Sequence, residues 1–174
     1  MIQLREKNTT TPAFIRKAQV LKEITDKYNI PLIINDNAHV TENADATGIH
    51  VGCNDVEPFS LRQNPFYGNK IIGYSIEYIS QLQNQQVAAS DYLGISPVFK
   101  TNTKKDTVTE WGLEGITTIR QLTQKPLVAI GNIHQKNAKE VISAGADCIA
   151  VVSAICRADN PQRAAYELKN EILK

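Results

Sequence analysis

Short runs of apolar, largely β-branched residues recur along the chain, and segments of helical apolar spacing separate them. The runs predict strands over residues 2–5, 32–35, 48–51, 71–75, 92–95, 127–131 and 148–152. Most show no polar alternation, the pattern of strands covered on both faces in a parallel sheet flanked by helices. Between them, periodicity predicts helices over 11–28, 81–88, 115–122, 135–144 and 162–173, with short helices or loops at 36–46 and 57–64. Strand and helix therefore alternate from end to end, with no linker or low-complexity tract, as expected of one domain over residues 1–174.

The last two apolar runs say most about chemistry. One ends at Gly131 and the other at Ser153. Small residues at strand tips leave backbone N–H groups open to an anion. Two adjacent strand–loop units of this kind at the end of a β/α chain form a phosphate cup in the (β/α)8 barrel. A doubly wound open sheet fits the alternation equally well, but no G-x-G-x-x-G follows the first strand. The fold class is therefore expected to be α/β of the (β/α)8 TIM-barrel type. Seven strands are visible where that barrel needs eight, so the first βα unit is expected to be lacking, with an open edge beside residues 2–5 as an association hazard. A homo-oligomer is left open on that ground.

Composition narrows the partners. The 19 basic and 18 acidic side chains are mixed along the sequence and leave a net charge of +1. Without a Lys/Arg block, neither nucleic acid nor an anionic membrane is an expected partner. The longest apolar stretch, residues 148–156, is too short to span a bilayer, and a cytoplasmic location is expected. Cys53, Cys148 and Cys156 lack metal-ligand spacing, and the latter two are expected as buried reduced thiols.

Polar residues collect at the C-terminal ends of the strands, where a barrel carries its active site. Gln3, Arg5 and Lys7, spaced by two, would share one side of the first strand. Arg5 offers a planar fork for phosphate oxygens and Lys7 a point charge. Asn35 and Asp36 end the second strand and Asp55 follows the third. Two carboxylates at neighbouring tips suit Mg²⁺ completed by substrate phosphates, although each alone is equally at home as a helix N-cap. Ser75 closes the fourth strand and could donate to a phosphate or a ring nitrogen, or cap a helix. The loop 99–107, dense in Thr and Lys, has the composition of a polyphosphate-binding loop or of a solvated one. Gly112 and Gly115 after it offer hinge freedom. His50 lies inside a strand, as a core imidazole or one supporting a site residue, and no nucleophile–base set stands out.

In order, QLREK, IIND, GIHVG-x-x-D, IIGYS, DYLGISPVFKTNTKKDT, GLEGI, VAIGNI-x-x-x-NA and AGADCIAVVSAI resemble thiamine-phosphate synthase over residues 1 to about 161. The resemblance implies a (β/α)8 barrel. It further implies a transferase that joins 4-amino-2-methyl-5-hydroxymethylpyrimidine diphosphate to 4-methyl-5-(hydroxyethyl)thiazole phosphate, giving thiamine phosphate and pyrophosphate. By resemblance, Gln3, Arg5 and Lys7 grip the pyrimidine diphosphate, together with Asn35, Ser75 and Lys104. Asp36 and Asp55 hold Mg²⁺, which assists pyrophosphate departure. Thr101 and Thr103 belong to the loop handling thiazole phosphate, whose cup is Gly131, Val152 and Ser153. Arg5, Lys7, Ser75 and Lys104 are the implied catalytic contacts, and the only implied partners are small-molecule substrates.

Three positions depart from the family pattern: Asn132 follows Gly131 where a second glycine is usual, Ser96 replaces a glycine, and Glu77 stands where a histidine often follows the strand. A thiazole tautomerase-like isomerase is the alternative, but it tends to lose the carboxylates and TKKD that this chain keeps. A truncated phosphate-binding barrel without activity is the other.

Overall fold

The computed structural model describes residues 1–101 and 109–173. These residues form seven strands, β1 (Ile2–Leu4), β2 (Leu32–Asn35), β3 (Gly48–Val51), β4 (Ile71–Ile76), β5 (Tyr92–Ile95), β6 (Leu127–Ile130) and β7 (Cys148–Ala150). The α-helices are α1 (Thr11–Lys27), α2 (Ala38–Asn43), α3 (Pro58–Gln63), α4 (Gln85–Ala89), α5 (Gly112–Leu122), α6 (Ala138–Ser143), α7 (Ser153–Cys156) and α8 (Pro161–Ile172). The fold is α/β of the TIM-barrel type, as expected from the sequence. No helix among the described residues is long and apolar enough to cross a membrane. The chain divides into two compact units, Met1–Ser75 with Gln83–Asp91, and Ile76–Leu82 with Tyr92–Lys174.

In the first unit β1, β2, β3 and β4 pair in parallel, each with the next. Every residue of β2 and β3 is buried. Helix α1 starts where Pro12 presets the first turn, and it turns Phe14 and Ala18 inward. They meet Leu32, Ile34, Val40, Ala44 and Ala46 in one apolar cluster. Gly48 shows why the pairing tolerates no side chain there, since a Cβ would lie 2.1 Å from the Ile71 carbonyl oxygen.

In the second unit β5, β6 and β7 also pair in parallel. One device recurs at the strand starts of both units. Asp91 accepts the Ile72 N–H at 2.7 Å and pairs with Arg62 at 2.6 Å, and that guanidinium also donates to the carbonyls of Tyr67, Lys70 and Ala89. Asp147 likewise accepts the Leu127 N–H at 2.8 Å and pairs with Arg120 at 2.9 Å. Each aspartate, the residue just before one strand, thus holds an N–H at the start of the strand that precedes it in the chain.

Several expectations need correction. β7 is not covered on both faces, because Cys148 is exposed and Ile149 and Ala150 are half-buried. Cys148 and Cys156 are exposed, as is Cys53, so apolar neighbours in sequence did not make the first two thiols interior. The predicted helix at 135–144 begins only at Ala138, since Asn137 accepts the His134 N–H at 2.8 Å and draws those residues into a turn. The segment 81–88 splits into a 3-10 turn (Ile79–Gln83) and α4, which the Asn84 side chain caps. Gly115 is no hinge. It sits inside α5 against Trp111, where a Cβ would come within 3.0 Å of the indole.

Candidate active site

At the first unit's strand ends, Lys7 of the expected basic cluster meets an acidic tip. Strand β1 stops at Leu4, so strict alternation does not reach Arg5 and Lys7. What places Lys7 is its ion pair, with Nζ 2.7 Å from Asp36 Oδ2. Arg5 and Gln3 are exposed, and Arg5 makes no ion pair among the described residues. Asn35 is buried at the end of β2. Asp36 turns the chain with φ 64°, a left-handed conformation that costs an ordinary residue about 1–2 kcal/mol. Strain of this kind persists where the surroundings impose it, often at a functional tip. Asp36 is not the N-cap of α2; Asn37 takes that role, its side chain accepting the Val40 N–H.

Asp55 Oδ2 accepts the Gly52 N–H at 2.8 Å. Burial pushes its carboxyl above the usual carboxylate range. The Gly52 N–H opposes that rise, the Asp36 carboxyl beside it adds to it, and the Lys7 charge works against it. Two carboxyls thus share one ammonium, and a divalent cation would supply the positive charge this pair lacks. Among the described residues no set of three or more His, Cys, Asp or Glu forms a metal cage. Two carboxylates are what Mg²⁺ takes from a protein when substrate phosphates complete its shell. The residues fit that ion.

Ser75 lies in β4 with its Oγ 2.8 Å from His50 Nε2. His50 is buried in β3, and its carbonyl accepts the Asp36 N–H at 2.8 Å. Glu77, beyond Ser75, is bound through its main chain: its N–H donates to Gln81 Oε1 at 2.7 Å and its carbonyl accepts from Thr109 Oγ1 at 2.8 Å.

The second unit carries the glycine-ended strand tip that the sequence singled out. Gly131 has φ 113°, and a Cβ there would lie 2.7 Å from Pro97 Cβ, so only glycine fits. Asn132 follows with φ 50°, a conformation asparagine adopts more readily than most residues. Asn137 braces the loop, its Nδ2 donating to the Asn132 carbonyl at 3.1 Å and its Oδ1 accepting the His134 N–H. The sequence offered Asn137 only as a letter in a motif, because its partners depend on the turn. Val152 and Ser153 are exposed at the start of α7. Thr101 is half-buried, whereas Thr103 and Lys104 lie outside the described residues.

This geometry has relatives. A family model for thiamine monophosphate synthase matches residues 1–155. A thiamine-phosphate synthase of Albidiferax ferrireducens is 43% identical over 171 residues, covering 98% of this chain and 78% of that protein. One from Chloroflexus aurantiacus is 42% identical over 169 residues, covering 97% and 77%. Among solved structures, a thiamine phosphate pyrophosphorylase from Pyrococcus furiosus superposes with a TM-score of 0.87 at 31% identity, covering 98% of this chain and 81% of that one. Charged strand tips, a glycine-built loop and these likenesses agree: the chain belongs to the thiamine monophosphate synthase family.

Proposed function

We propose that this protein is a thiamine-phosphate synthase, a transferase that joins a hydroxymethylpyrimidine diphosphate to a thiazole phosphate with release of pyrophosphate. The observation that carries it is the Lys7–Asp36 pair at 2.7 Å beside an Asp55 carboxyl already raised by burial and by Asp36. Such a tip is built to take up a cation together with an anionic diphosphate. In this reading Asp36 and Asp55 hold Mg²⁺, which when bound neutralises charge on the diphosphate oxygens.

Arg5 and Lys7 then face the diphosphate with fixed positive charge, which counts for more as the leaving group becomes a free anion. Ser75 donates its hydroxyl to the same group, and Gln3 and Asn35 orient the pyrimidine. Lys104 is assigned to the diphosphate and Thr103 to the thiazole phosphate from their sequence positions. The aminopyrimidine can spread positive charge from its methylene, so pyrophosphate departs before the thiazole nitrogen attacks. No protein nucleophile is needed. In the second unit, Gly131, Val152, Ser153 and Thr101 take the thiazole phosphate, with backbone N–H groups as the donors. Both units serve one domain over residues 1–174, and we assign the protein to the cytoplasm, where both phosphorylated substrates would be retained.

The test is release of pyrophosphate in the presence of both substrates, compared with binding of each alone. Asp36→Ala and Asp55→Ala are each expected to lower Mg²⁺-dependent turnover about a hundredfold or more. If neither substitution changes it, the metal assignment is wrong. If the wild-type protein binds both compounds yet releases nothing, it is a binding protein.

A further inference from the structure

His50 has no part in the reaction just described, yet it touches two residues that do. Its ring nitrogen Nε2 is 2.8 Å from Ser75 Oγ, and its carbonyl accepts the Asp36 N–H at 2.8 Å. The residue is 5% exposed, so its ring is enclosed by the protein. We propose that His50 is a positioning residue for the diphosphate: it fixes the Ser75 hydroxyl so that the O–H points at an anionic oxygen, without touching substrate itself. The proposal rests on the function assigned above.

The strand register makes the contact. His50 is paired with Gly73, two residues before Ser75 on the adjacent strand. Side chains two apart on a strand share a face, and Gly73 has none, so the imidazole can lie over that gap and reach Ser75. A lone serine hydroxyl rotates among staggered wells, and its hydrogen is equally unfixed. An N–H donated to one lone pair of Oγ removes that freedom and leaves the hydroxyl hydrogen for another acceptor. An anionic ligand requires that hydrogen, so the arrangement that serves it carries a proton on Nε2. Because the Asp36 bond uses the His50 backbone, side-chain substitutions leave the acidic tip tethered.

The test compares His50→Gln with His50→Asn, each also in a Ser75→Ala background. The Gln amide reaches the place of Nε2, whereas the Asn amide reaches only that of Nδ1. Expected for His50→Asn is a fall in kcat/KM for the pyrimidine diphosphate of about tenfold or more, with His50→Gln within about threefold of wild type. The KM for thiazole phosphate and the urea midpoints should match wild type. In the Ser75→Ala background, His50→Asn should cost less than about twofold more, because the group it positions is gone. Equal losses for Gln and Asn, multiplying losses in the double variant, or failure of both to fold would each overturn the proposal and leave His50 a packing residue. A wild-type protein without turnover would instead refute the assigned function. Calorimetric affinities for magnesium pyrophosphate across the same variants would then decide the His50–Ser75 coupling by the same pattern.

Discussion

Replacing Gly131 by alanine tests the loop proposed to hold the thiazole phosphate most directly. The added Cβ would stand 2.7 Å from Pro97 Cβ, 2.8 Å from Pro97 Cα and 3.1 Å from Val98 N. Carbon atoms rest about 3.5–4.0 Å apart, so the two segments would have to part by roughly 1 Å. They are not loose. Val98 N–H donates to the Ile130 carbonyl at 2.8 Å, and Phe99 N–H to the Gly131 carbonyl at 3.3 Å. Overpacking against main chain costs about 1–3 kcal/mol. Holding φ 113° with a side chain adds about 1–3 kcal/mol more. The expected loss is therefore about 2–6 kcal/mol, against a total stability of about 5–15 kcal/mol for an ordinary protein. Urea denaturation of both proteins measures it, and the KM for thiazole phosphate should rise in any folded Gly131→Ala protein. Asn132→Ala, at φ 50°, should cost only about 1–2 kcal/mol. A Gly131→Ala protein within about 1 kcal/mol of wild type would show that the loop yields freely, and the argument from steric fit would fail.

Other outcomes follow from the same geometry. The Asp55 carboxyl is raised in the folded protein, so its contribution to stability is present below the ordinary carboxylate range and lost as pH rises through the raised value. Without magnesium, Asp55→Asn should therefore raise the urea midpoint at pH 7, and the gain should vanish in acid. A lower midpoint at neutral pH would contradict it. Arg62→Met strips donors from the carbonyls of Tyr67, Lys70 and Ala89 and leaves Asp91 without its guanidinium, at about 2–4 kcal/mol in denaturant titrations. An unchanged midpoint would show that water replaces the arginine. Asn137→Ala should raise the KM for thiazole phosphate about tenfold and leave that for the pyrimidine diphosphate alone, as steady-state kinetics would reveal.

The apolar runs alone determined that this is an α/β chain of parallel strands, because covering both faces of a strand leaves no position for polar alternation. The placement of Asp36, Asp55, Ser75 and Gly131 at or near strand ends, which makes them candidates, was also legible, since those ends are marked in sequence by the end of each run. Tertiary structure decided the rest. The Lys7–Asp36 bond, the His50–Ser75 contact and the Asn137 brace each join residues brought together by strand register or by a turn, which no local pattern encodes. Exposure of Cys148 had the same cause, because an apolar run fixes a strand's preference for burial while its neighbours fix how much cover it receives. Local periodicity records what a residue prefers, whereas packing decides what it meets.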